Sequence, residues 1–106
     1  MTGMGARAVL AAALCAAAGW SSGALAADTG AVRYMAAVCA NCHGTNGQSV
    51  GGNEALAGYD KAKFVQTMGE FKSGKRPATL MHQISKGFTD QQIAQLAEFF
   101  SGQAAK

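Results

Sequence analysis

Cys39-Ala40-Asn41-Cys42-His43 is the stretch on which the reading of this chain turns. Two thiols three positions apart on a helical turn can each reach one vinyl group of a haem. The adjacent histidine then aims its ring at the iron from the same side. C-x-x-C-H is for that reason the attachment signature of c-type haem. Other uses of these residues fare worse. A thioredoxin-like redox pair belongs beside a βαβ pattern, and no segment here alternates as a half-buried strand does. Zinc wants four donors, usually a second C-x-x-C or a histidine pair, and the only other histidine is His82. A plain disulfide leaves His43 unexplained. The residues therefore predict one covalent haem c at Cys39 and Cys42, with His43 as proximal iron ligand.

Upstream of the motif, residues 1–27 read as an export signal. Arg7 supplies the positive start, an apolar run follows from Ala8, and small residues lead to Ala24-Leu25-Ala26. A membrane anchor needs about 20 apolar residues, and this run is broken by Gly19, Ser21, Ser22 and Gly23. Lipid attachment at Cys15 wants a small residue before it, where Leu14 stands. Cleavage after Ala26 or Ala27 leaves residues 28–106 as a periplasmic domain without an anchor, and removes Cys15. A domain of that size buries too little apolar surface to be comfortable alone, so a large apolar cofactor supplies the missing core.

Charge excludes more than it identifies. Nine Lys and Arg against six Asp and Glu give a formal net charge of +3, with no basic run interleaved with aromatics of the kind nucleic acid requires. No Ser/His/Asp or paired-carboxylate arrangement appears, so a hydrolytic site of its own has nothing to stand on.

The periodicity predicts an all-α domain. Residues 30–40 read as a short helix with Val32, Tyr34, Met35 and Val38 as its larger apolar positions. Residues 44–58, rich in Gly, Asn and Ser, read as a loop. Asp60 can cap a helix over 61–72, where Phe64, Val65, Met68 and Phe71 form one apolar face. Residues 73–76 break it, and Pro77 can open a turn leading to Met81 and Ile84. Thr89 with Gln92 makes a capping box, flanked by Phe88 and Ile93 as a staple, before a face of Ile93, Leu96, Ala97 and Phe100.

The motif lies near the start of the exported domain, after one short helix. That arrangement is similar to class I cytochromes c, small helical domains wrapped around one covalent haem, with a methionine downstream as sixth ligand. Met35 precedes the motif on the attachment helix, and Met68 sits mid-face on an apolar helix. Met81, just before the terminal helix, is the preferred ligand. His82 is its rival, and a histidine there would lower the potential relative to His/Met. Lys61, Lys63, Lys72, Lys75, Arg76 and Lys86 either surround the haem edge and steer an acidic partner or are ordinary solvated positions.

Three stretches carry a closer resemblance. Cys39 to Thr45, Phe71-Lys72-Ser73-Gly74-Lys75-Arg76, and Thr79-Leu80-Met81-His82-Gln83-Ile84-Ser85-Lys86-Gly87-Phe88 resemble the cytochrome subunit of flavocytochrome c sulfide dehydrogenase. The likeness covers nearly all of residues 28–106, and the family's axial methionine falls on Met81. It implies a partner, a flavoprotein with FAD that oxidises sulfide and passes electrons to the haem; the alternative is a free-standing soluble shuttle to oxidases or reductases. Some members carry two haem domains in tandem, and this chain has one motif. Related cytochromes also commonly carry a proline before Leu-Ala-Gly, its carbonyl bonding the proximal histidine. Here Glu54-Ala55-Leu56-Ala57-Gly58 has none, and any backbone carbonyl can take the Nδ1 proton instead.

Overall fold

The structure, a computed structural model, describes residues 29–105. The expected export signal and Cys15 lie outside the described residues. Four α-helices and one short 3-10 turn make up the regular structure, with no strand among the described residues. None of these helices is long and apolar enough to cross a membrane.

The strongest local signal produces the helix with the widest buried face. At the start of α4 (Asp90–Ser101), the Thr89 hydroxyl accepts from the Gln92 N–H at 3.1 Å. The Gln92 side chain accepts from the Thr89 N–H at 2.9 Å. This reciprocal pair satisfies two donors that a helix start leaves open. Ile93, Leu96, Ala97 and Phe100 are buried, as their period requires, and Phe88 packs against the same cluster.

Helix α2 (Lys61–Ser73) begins at Asp60, whose carboxylate accepts from the Lys63 N–H at 2.8 Å. Phe64 and Met68 are buried and Phe71 is half-buried, but Val65 is 40% exposed. One residue on from Phe64, Val65 is turned roughly 100° around the axis, past the edge of the stripe.

Helix α1 (Thr29–His43) is longer than expected and carries the whole C-x-x-C-H motif. It stops at Gly44, whose φ of +82° no longer continues a helix. Its buried line is Val32 and Ala36, with Met35 and Cys39 half-buried against the core. These four positions follow the i, i+3, i+4, i+7 spacing. Of the larger residues on this helix, Tyr34 is 84% exposed, while Val38, 53% exposed, lines the cavity described below. Small Ala36 joins the core in their place.

The turn expected at Pro77 is not formed there; residues 77–78 are irregular, 79–80 bend, and α3 (Met81–Lys86) begins at Met81 itself. Helix α2 packs on α3 and α4, and α1 packs on α4 and the 3-10 turn Thr45–Gly47. The core joins Ala36, Phe64, Met68, Ile93, Leu96, Ala97 and Phe100.

The loop between α1 and α2 is built on Gly47. This buried residue has φ +74°, and a Cβ on it would lie 2.8 Å from the Ala57 nitrogen and 2.9 Å from Phe100 Cδ1. Its carbonyl accepts from the N–H groups of Leu56 and Ala57 at 2.8 and 3.0 Å. Only glycine satisfies both demands.

Gly47→Ala should therefore destabilise the fold by more than the roughly 1–3 kcal/mol of left-handed strain alone. Thr89→Ala, which loses one cap, should cost about 0.5–2 kcal/mol. Urea unfolding followed by circular dichroism should show the lower midpoint in the glycine variant; the opposite order would contradict this account of the loop.

Candidate functional site

Cys39, Cys42 and His43 occupy the last turn of α1, and Met81 opens α3. The fold brings all four to one cavity of about 350 Å³, within the range of cofactor pockets. Leu56 from the loop, Phe64, Met68 and Phe71 from α2, and Ile84 from α3 supply apolar walls. His82 is not among the lining residues; its Nδ1 is buried and without a hydrogen-bond partner among the described residues. Met68 also lines the cavity, from within the core cluster.

Cys39 is half-buried and Cys42 exposed. Burial pushes the Cys39 thiol above its ordinary pKa, with a smaller opposing effect from its backbone hydrogen bond. A redox pair of the thioredoxin kind needs the opposite shift, a thiolate favoured near neutral pH. The surroundings of Cys39 thus speak for an attachment thiol over a nucleophile.

The Nδ1 of His43 donates to the Glu54 carbonyl at 2.5 Å. A carbonyl only accepts, so this contact assigns the ring proton to Nδ1 and leaves the Nε2 lone pair free. Glu54 stands two residues before Leu56-Ala57-Gly58, and it is a backbone carbonyl of this proline-free stretch that takes the Nδ1 proton. Asn53 Nδ2 donates to the Cys42 carbonyl at 3.0 Å. Glu54 carries no sequence signal that would have singled it out, since a backbone acceptor has no side-chain requirement, and the Asn53 amide finds its partner only through the folding back of the loop.

Of the six cations considered for docking, only Arg76 lines the cavity. Its Nε donates to Glu70 Oε2 at 3.0 Å, its N–H to the Glu70 carbonyl at 3.2 Å, and its guanidinium lies over the Phe71 ring. Hydrogen bonds from Gln66 and then Arg76 hold the Glu70 carboxyl below its usual pKa. Lys61 is paired with Glu98, and Lys72 reaches Asp90 Oδ1 at 3.1 Å and the Phe88 carbonyl at 2.8 Å. Three of the six are thus paired with carboxylates, and a fourth, Lys63, lies over the Tyr59 ring.

These residues fit a haem. Two thiols sit one helical turn apart at the cavity wall, beside an imidazole with its proton already placed, and a methionine lines the same space from another helix.

Comparison with known proteins agrees. The family model for cytochrome c matches residues 27–103. The chain is 34% identical over 68 residues to the cytochrome subunit of sulfide dehydrogenase from Chlorobaculum tepidum, covering 64% of this chain and 62% of that one. It is 35% identical over 79 residues to cytochrome c4 of Pseudomonas aeruginosa, covering 74% of this chain and 39% of that one. Cytochrome c-554(548) of Halomonas halodenitrificans is 29% identical over 82 residues, with 99% of its length covered. The chain thus spans less than two thirds of the first two relatives. Covalent haem c is what the family implies, and the cavity walls suit it. The helical fold and the match along most of the sequence lead to one conclusion: this chain belongs to the cytochrome c family, as a haem electron carrier of the class I type.

Proposed function

We propose that Cys39 and Cys42 hold one haem c through thioether bonds, that His43 and Met81 are its axial ligands, and that the protein carries single electrons in the periplasm. One observation carries this reading: His43, its Nδ1 proton given to Glu54, lines the same cavity as Met81. Haem bound there supplies one-electron exchange between ferrous and ferric iron.

The rest is the work of the chain. The bond to Glu54 keeps the Nε2 lone pair available and makes the imidazole a more basic ligand. Leu56, Phe64 and Ile84 keep water from the cavity, and a wall of low polarity raises the potential of iron held against it. Met68 is 5% exposed and embedded in the core cluster, whereas Met81 is half-buried at a helix start after an irregular segment. That difference supports Met81 as the sulfur donor.

Residues 1–27 act in this reading as the export signal, cleaved after Ala26 or Ala27. The electron donor is a sulfide-oxidising flavoprotein with FAD, a reading supported by the identity with the sulfide dehydrogenase subunit. The second reading is a free-standing soluble shuttle; the Halomonas cytochrome, matched over 99% of its length, is of the size of this one domain. A flavin-bearing chain that co-purifies with the native protein selects the first; recovery of the cytochrome alone selects the second.

Mass spectrometry of exported protein should show loss of 26 or 27 residues and a gain of one haem. Free thiols at Cys39 and Cys42 in the mature protein would sink the proposal. The double variant Cys39→Ala with Cys42→Ala should lose cooperative melting, because the apolar core is small.

The sixth ligand has its own spectroscopic test. A methionine–iron bond gives a weak charge-transfer band in the far red of the oxidised spectrum. Met81→Ala should abolish that band, lower the potential and open the site to added imidazole or cyanide. Met68→Ala should keep the band and lose about 2–5 kcal/mol of stability. A wild-type spectrum without the band, together with an iron opened by His82→Ala, would reassign the ligand to His82.

A further inference from the structure

Residues 50–55 of the loop are all exposed, and a Cβ on Gly51 or Gly52 would meet nothing within 4 Å. Asn53 and Glu54 line the cavity, so packing within the chain itself does not hold the Glu54 carbonyl beneath His43. Glu54 also lacks the pyrrolidine ring by which a proline would restrict the backbone there. Something else has to fix the direction of that carbonyl, and the hydrogen bonds show what does.

Two consecutive residues of α1 are tied to two consecutive residues of the loop. The Cys42 carbonyl accepts from Asn53 Nδ2 at 3.0 Å, and His43 Nδ1 donates to the Glu54 carbonyl at 2.5 Å. Asn53 is in turn held from behind: its own carbonyl accepts from the Ser49 hydroxyl at 2.6 Å. Ser49 Oγ also accepts from the Gly51 N–H at 3.3 Å, across the loop tip. A hydroxyl has one proton, so the 2.6 Å contact is its donated bond and the 3.4 Å approach to the Gly51 carbonyl is not. The loop base is closed separately, by Leu56 and Ala57 on the Gly47 carbonyl.

We infer that Asn53, braced by Ser49, is a positioning residue that sets the direction of the Glu54 carbonyl and thereby tunes the potential through His43. The inference rests on His43 as proximal ligand. A well-aimed acceptor makes the imidazole more basic and favours ferric iron; a carbonyl freed to turn away weakens that effect and raises the potential.

The test uses matured, haem-bearing protein. Asn53→Ala and Asn53→Leu both remove the donor, the second with the same number and branching of side-chain heavy atoms; Ser49→Ala removes only the brace. Redox titration should give a midpoint shifted upward in both Asn53 variants and by less in Ser49→Ala. In the reduced state, proton NMR should show the His43 Nδ1–H resonance moved upfield and exchanging faster with solvent, with the Met81 band retained. Midpoints and ring N–H exchange equal to wild type in the haem-bearing variants overturn this inference, whatever happens to melting temperature, and so does a downward shift. A wild-type protein that carries no covalent haem overturns the proposed function, and this inference with it.

Discussion

Phe100 is where the elements of this fold meet. Its ring stacks on Phe64 of α2 at 5.8 Å and stands edge-on to Phe99 at 5.1 Å. Such aromatic pairs add about 0.5–1.5 kcal/mol each beyond the area they bury. Its Cδ1 lies in the space that a side chain on Gly47 would need, and its carbonyl accepts from the Gly58 N–H at 2.9 Å. One residue of α4 thus holds α2 and both ends of the loop. With the loop ends held, Leu56 reaches the cavity wall and Glu54 comes beneath His43.

The same packing leaves the protein with little core to spare. Among the described residues seven form the buried cluster, and two of them, Phe64 and Met68, also wall the cavity. Chains this short bury a modest share of their surface, so whatever fills the cavity extends the core. Stability and electron transfer are coupled through that shared wall. His43 and Met81 enter from separate helices, each packed on other elements. As the proposed axial donors, they would be held still by such a frame while charge comes and goes, which is what a carrier of single electrons requires.

Electrostatics plays a smaller and more local part. The ion pairs Lys61–Glu98, Lys72–Asp90 and Arg76–Glu70 lie at the surface, where such pairs contribute about 0–1 kcal/mol. Their more specific effect is on geometry, for Arg76 is held against the cavity by Glu70 and Phe71. Because the Glu70 pKa is lowered in the fold, its contribution is present above the ordinary carboxylate range. It fades only as pH falls through the lowered value. Arg76 therefore keeps its partner throughout the neutral range, and the formal positive charge of the chain does not translate into six free cations around one edge.

Features that depend on near neighbours follow from the order of residues alone. The caps at Asp60 and Thr89 need only residues three apart, and the structure contains both. The spacing of Cys39, Cys42 and His43 depends on a single helical turn, and α1 supplies it. Tertiary structure decided what depends on segments far apart. Which side of α1 is buried was settled by α4, which accepts Ala36 and leaves Tyr34 in solvent. Met81 lines the cavity and His82 does not because α3 starts at Met81 and packs on α2. Glu54 became the partner of His43 because the loop folds back on Gly47 and is pinned by Asn53. Short-range hydrogen bonds follow from the order of residues along the chain; burial and carbonyl direction follow from what folds back against them.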